Sequence, residues 1–178
     1  DFPSMIEQGK MIASWGPNVN VKIPVTNTRG EFAGPVIEKL SHAGVAVNVT
    51  AIMTLQQVRR VVDCLAPKTP AIVSVFAGRI ADTGRDPVPL MEEAVEILKQ
   101  RPRAELSWAS PRELLNIFHA EEAGCHIITL LPEMLNKLNL IGRDLDVYSL
   151  ETVNMFYRDA CAAGYKIHVE KGQAMSFA

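Results

Sequence analysis

The chain has 178 residues, enough for one domain with a sizeable core and too few to expect two. Apolar residues make up 48% and charged residues 21%, and a net charge of −2 excludes a global field that would draw nucleic acid or an anionic membrane surface. No apolar run approaches the roughly 18 residues needed to span a bilayer, and Cys64, Cys125 and Cys161 lack CxxC spacing, which reads as reduced thiols in a cytoplasmic protein.

Asp1-Phe2-Pro3-Ser4 runs straight into a helical pattern over residues 4–15, with no signal peptide and no initiating Met, so further residues are expected before Asp1. A Val- and Ile-rich strand follows at 18–26, then a helix at 29–43 stopped by Ala43-Gly44. The next strand is 45–50, the next helix 54–65. A strand at 71–76 leads to a helix at 87–100, and a strand at 104–108 to a helix at 111–123. Ser110 reads as the N-cap of that helix, with Pro111 in its first position, and Ala123-Gly124 as its stop. The last strand is 126–130, followed by helices at 132–138 and 149–163, the second with Ser149 as N-cap and Ala163-Gly164 as its end. The tail from Lys171 carries no readable signal.

Strands alternating with helices at a spacing of roughly 22 to 33 residues mean a parallel sheet. No GxGxxG and no glycine-rich phosphate loop occurs, so the usual sites of an open doubly wound sheet are absent. The other architecture is a TIM (β/α)8 barrel, which needs eight strands and about 250 residues. Only about five of the eight βα units are present here, and the expected fold is the C-terminal part of such a barrel.

Alternation along each strand separates two faces. On the first strand, Val21, Ile23 and Val25 share one face, and Asn20, Lys22 and Thr26 the other. On the second, Asn48 and Thr50 lie together. On the third, Ser74 and Phe76 pair, with Arg79 just beyond, and Ser107 closes the fourth. Polar groups thus recur near the C-terminal ends of consecutive parallel strands, where ligands bind and chemistry occurs in α/β proteins. A desolvated lysine has a lowered pKa and a larger neutral fraction, and a neutral amine attacks carbonyls to form Schiff bases. Each position also has a plainer reading: a snorkelling Lys22, Asn48 and Thr50 satisfying loop amides, serines as small packing residues, Arg79 in a surface ion pair. Spacing leaves both readings open.

The residues themselves carry a resemblance. Val21-Lys22-Ile23-Pro24-Val25-Thr26 resembles the VKxPxT segment around the Schiff-base lysine of the transaldolase and fructose-6-phosphate aldolase family. Residues 44–50 (GVAVNVT) are similar to its GI-x-x-N-x-T strand, residues 74–80 (SVFAGRI) to its SPFVGRI, and residues 121–129 (EEAGCHIIT) to its penultimate turn and last strand. The order of segments is the family's. The resemblance implies Lys22 as the Schiff-base former and Thr50 as a holder of the catalytic water. Asn48 and Ser74 would contact the three-carbon dihydroxyacetone unit, and Arg79 and Ser107 the phosphate end. It implies no metal and no organic cofactor, a small sugar phosphate as substrate, and a homo-oligomer assembled through the C-terminal helix.

Phe76 is what the transaldolases resemble this chain in carrying; the fructose-6-phosphate aldolases have Tyr there, whose hydroxyl assists protonation of the enamine. Phe has no proton to give, so transfer of the unit is expected rather than release of free dihydroxyacetone. Two departures stand out. The family's opening strands bring an aspartate acid/base, an asparagine and a Glu or Gln, none matched here and all expected before Asp1. The family also has Arg or Lys two residues after the Ser107 position, where this chain has Ala109, so phosphate contacts are expected to be weakened. The alternatives are an aldolase releasing free dihydroxyacetone and an inactive sugar-phosphate-binding barrel.

Overall fold

Short Val- and Ile-rich runs separated by amphipathic stretches fold into alternating strands and helices in the computed structural model, which describes residues 1–164, 166 and 167. In chain order these are α1 (Phe2–Ala13), β1 (Val21–Pro24), α2 (Gly34–His42), β2 (Val47–Ile52), α3 (Leu55–Cys64), β3 (Ala71–Val75), α4 (Ala77–Ala81), α5 (Val88–Leu98), β4 (Ala104–Trp108), α6 (Asn116–Glu122), β5 (Ile127–Ile128), α7 (Pro132–Leu135), a 3-10 turn at Leu138–Leu140, and α8 (Leu145–Ala163). The tail from Lys171 lies outside the described residues.

The chain divides into two compact units, Asp1–Asn136 and the segment from Lys137 onward. In the first unit the five strands form one parallel sheet in the order β1-β2-β3-β4-β5. Sequential parallel neighbours, each reached through a helix, are the repeating unit of a (β/α)8 barrel. The sheet is not closed, and β1 and β5 are its edges. One face of the sheet is fully packed. Val21, Ile23, Val47, Val49, Val73, Val75, Leu106 and Trp108 are buried there in one core with Val36, Ile37 and Leu40 of α2, Val58 and Val61 of α3, and Met91 of α5. Burying each such aliphatic side chain stabilises by roughly 1.5–3 kcal/mol. Neighbouring helices pack in sequence, α1 on α2, α2 on α3, α3 on α5 and α5 on α6.

Local chemistry sets the boundaries. Helix α3 has Thr54 as N-cap in a reciprocal capping box with Gln57. Gly44 and Gly124 take φ of +83° and +75° after their helices, as the Ala-Gly stops require. Three expectations are corrected. The helix expected from Arg29 begins at Gly34, because Asn27 Oδ1 accepts hydrogen bonds from Arg29 N and Glu31 N and holds that stretch in a turn. Ser110 is not an N-cap and Pro111 does not open a helix. Ser110 takes φ +57°, and α6 starts only at Asn116, whose Oδ1 accepts from Arg112 N and Glu113 N. The short helix α4 was not expected at all; it follows β3 directly.

In the second unit, α8 begins at Leu145 rather than Ser149. Asp144 is the N-cap, its Oδ1 accepting from Val147 N at 2.9 Å, and Asp146 adds acidic charge to the first turn. Gly164 ends it with φ +69°.

The three cysteines are free thiols, Cys64 and Cys125 half-buried and Cys161 exposed. Burial pushes the Cys125 thiol up to about 11. The thiolate is the nucleophile, so at pH 8 iodoacetamide should label Cys161 first and leave Cys125 largely unmodified, as peptide mapping by mass spectrometry would read out. Equal labelling of the two would show that Cys125 is not desolvated.

Candidate active site

The face of the sheet opposite the helices carries the polar residues. Parallel ladders place side chains in rows. Lys22 stands opposite Asn48, Asn48 opposite Ile72, and Ile72 opposite Glu105. One step toward the C-terminal ends, Pro24 stands opposite Thr50 and Ser74 opposite Ser107. Lys22, Asn48, Thr50, Ser74 and Ser107, singled out from the sequence on four different strands, are therefore brought to one face and into two adjacent rows.

A hydrogen bond ties the rows together. Ser74 Oγ donates to Asn48 Oδ1 at 2.8 Å. With Oδ1 occupied, the Asn48 amide has its Nδ2 donor to offer a ligand. Ser74 and Ser107 are buried. Thr50 is buried too, and its hydroxyl has no hydrogen-bond partner among the described residues. A buried hydroxyl without a partner is costly, and a bound water is the usual way to satisfy it.

Beside Thr50 the ladder is irregular. Val49 pairs with Val73 and Ile52 with Val75, so Thr50 and Ala51 together oppose Ser74 alone. This is a β-bulge, and Ala51 sits in it with φ +62°. A non-glycine residue in that region costs about 1–3 kcal/mol and persists where the surroundings over-determine it. The bulge shifts the end of β2 by one residue against β3 while Thr50 keeps its register with Pro24 on the other side.

Beyond β3, Phe76 is the residue before α4, its amide donating to Ile52 O at 2.8 Å. Arg79 is exposed, its guanidinium carbon 5.5 Å from the centre of the Phe76 ring. The loop after β4 is clamped onto this helix. Gly78 N donates to Ala109 O at 3.3 Å, and the Ser110 carbonyl lies so close to Gly78 that a Cβ there would be 1.6 Å from its oxygen. Arg112 closes the clamp with two donors on the Asp82 carboxylate, Nε at 3.0 Å. Ala109 is buried and presents no charge beside Ser107.

Among the described residues β1 is the first strand of the sheet, and the Lys22 side chain is exposed on this face. One residue escaped the sequence reading. Glu105 lies in the same row as Lys22 and Asn48, a carboxylate on the site face of β4. Its signal was the alternation of Ala104, Leu106 and Trp108 against Glu105 and Ser107. Among the described residues no cluster of three or more His, Cys, Asp or Glu could hold a metal ion, and no helix is long and apolar enough to cross a membrane.

Comparison with known proteins gives a consistent result. A family model described as "Transaldolase/Fructose-6-phosphate aldolase" matches residues 1–170. A "Probable transaldolase" of Nitrosopumilus maritimus is 33% identical over 141 residues, covering 78% of this chain and 60% of that protein. A "Probable transaldolase 2" of Listeria monocytogenes is 35% identical over 136 residues, covering 75% and 58%. A "Probable transaldolase" of Dehalococcoides mccartyi is 34% identical over 139 residues, covering 78% and 61%. The chain thus spans about 60% of the length of the curated relatives it matches.

Proposed function

The chain belongs to the transaldolase/fructose-6-phosphate aldolase family, and on that premise we propose that it carries the Schiff-base face of a transaldolase, which moves a three-carbon dihydroxyacetone unit between sugar phosphates. The observation that supports this best is the Ser74–Asn48 hydrogen bond in the row beside Lys22. It holds an amide ready for the donor's hydroxyls one strand away from the amine that would attack its carbonyl.

In this reading the neutral Lys22 amine adds to the ketose carbonyl, and loss of water gives an iminium. The bond between the third and fourth sugar carbons then breaks. The fourth carbon's hydroxyl gives up its proton and leaves as an aldehyde, and the bonding electrons move onto the iminium to form an enamine. The enamine attacks an acceptor aldehyde, the new hydroxyl takes up a proton, and water adds back to release Lys22. Asn48 and Ser74 hold the donor unit, Thr50 holds the water lost and regained, and Arg79 with Ser107 meets the phosphate end. The unpartnered Thr50 hydroxyl supports its assignment.

Phe76 governs the fate of the enamine. Lacking a hydroxyl, it leaves the intermediate unprotonated until an acceptor arrives. Phe76→Tyr should raise release of free dihydroxyacetone from fructose 6-phosphate by roughly tenfold or more, because a positioned general acid contributes about 10²–10⁴-fold. The assay is product analysis with and without an acceptor aldehyde. An unchanged ratio of release to transfer would remove Phe76 from this role.

The reading itself is tested by intact-mass spectrometry after borohydride reduction in the presence of fructose 6-phosphate. A reduced three-carbon adduct is expected. Its absence would point to a different carbonyl substrate or to a binding barrel without the reaction.

A further inference from the structure

The seam between β4 and β5 contains a hydrogen bond that a regular ladder does not make. Leu106 N donates at 3.1 Å to Nδ1 of the His126 ring, and His126 N donates back to Leu106 O at 3.0 Å. One residue thus engages both main-chain groups of Leu106, which is fully buried. A parallel ladder would ordinarily give Leu106 N a main-chain carbonyl of the incoming strand. Here the incoming segment is still closing α6: Gly124 stands at φ +75°, and Cys125 N turns back to Ala120 O at 2.9 Å. The imidazole supplies the acceptor instead. β5 has only two residues, paired as Ser107 with Ile127 and Trp108 with Ile128, so this one bond is a large share of what holds it. An Nδ1 that accepts carries no hydrogen, and a protonated imidazole has two donors and no acceptor.

The ring is open to solvent protons. His126 is exposed and lines a cleft of about 290 Å³ with Val95, Leu98, Lys99, Pro102 and Ala104. The charged groups around it give a cationic ring no partner. From α5 comes Lys99, itself paired with Glu96 at 2.6 Å. β4 has Arg103 just before it and Glu105 on the site face, and α6 ends in Glu121 and Glu122. His126 forms no ion pair among the described residues. We propose that His126 makes the β4–β5 seam an acid-sensitive joint. The neutral ring holds β5 on β4. Protonation removes the acceptor, sets an N–H against the Leu106 N–H, and loosens the strand end that presents Ser107. Docking is therefore complete at neutral pH and is lost as pH falls through the range in which histidines take up a proton. The joint is independent of the aldol reading.

The test is amide hydrogen exchange of the full chain, read by mass spectrometry at about pH 8 and about pH 5 and corrected for the intrinsic pH dependence of exchange. The wild type, His126→Asn and His126→Ala are compared. In the wild type, peptides covering residues 104–108 and 126–129 should lose protection roughly tenfold on acidification, the effect of leaving one buried donor unpaired. Peptides from β1 and β2 should not change. His126→Asn offers an acceptor oxygen near the place of Nδ1 and does not titrate, so its protection should be the same at both pH values. His126→Ala should be poorly protected at both. Wild-type protection that ignores pH overturns the proposal, and so does a loss spread evenly over β1 to β4. An Asn variant that loosens in acid as the wild type does would place the response on another group. An Ala variant as protected as the wild type at about pH 8 would show that the ring bond holds nothing.

Discussion

Lys22→Ala should abolish the borohydride-reducible adduct and lower turnover on the order of 10⁴-fold. Removing the nucleophile of a covalent mechanism typically leaves only what binding and positioning contribute. The substitution is a clean one. The Lys22 side chain is exposed and takes part in no ion pair among the described residues, so its removal should change stability by no more than about 0.5 kcal/mol. Circular dichroism and the melting temperature should therefore match the wild type while the adduct disappears. An adduct that persists on the variant, mapped to another lysine, would move the nucleophile away from β1 and with it the meaning of the Lys22–Asn48 row. Lys22→Arg sharpens the result: it keeps the charge, so electrostatic attraction of phosphate is preserved, but a guanidinium stays protonated and forms no Schiff base.

The site was more legible in the sequence than the loops that support it, and the reason is physical. Alternation has a period of two on any strand, so once Val21, Ile23 and Val25 were assigned to the core, Lys22 had to face the other way. The same reasoning placed Asn48, Thr50, Ser74 and Ser107. The order of strands followed from short crossovers between parallel neighbours. What alternation does not encode is a residue added to one strand. The bulge at Thr50 and Ala51 depends on a φ of +62° at an alanine, a residue with no local preference for it. Ser110 failed for a related reason. Ser-Pro before an amphipathic run is a sound helix start by itself, but here the Ser110 carbonyl packs against Gly78, thirty-two positions earlier in the chain. Tertiary contact overrode the local signal. At α8 the competition was local instead: Asp144 and Ser149 are both good caps, and the earlier one wins because Leu145 to Tyr148 complete one more turn. The exposure of Lys22 could not be read from a strand's own residues, since it depends on which strands flank β1.

Gly78→Ala should be the most damaging single substitution outside the core. An ideal Cβ at this position would lie 1.6 Å from Ser110 O and 2.7 Å from Ser110 C. Both are backbone atoms, which cannot swing aside as a side chain can. Relief requires the β4–α6 loop to move away from α4, and that movement breaks the Gly78 N to Ala109 O hydrogen bond and pulls on the Arg112–Asp82 pair. Overpacking of this kind costs about 3 kcal/mol, which for a chain of this size lowers the melting temperature by roughly 10 °C. Gly44→Ala is the control. Gly44 has φ +83°, but nothing lies within 4 Å of its would-be Cβ, so only backbone strain of about 1 kcal/mol opposes the change. If the two variants melt together, the contact between the two loops is not tight and the clamp argument fails. If Gly78→Ala alone is severely destabilised, the loop after β4 is fixed by α4. The position of Arg79, one residue after the contact, is then set by the same packing that replaced the expected N-cap at Ser110. A Gly78→Ala protein that survives at low temperature should accordingly bind phosphate more weakly than Gly44→Ala, because Arg79 lies on α4 directly beside the displaced contact.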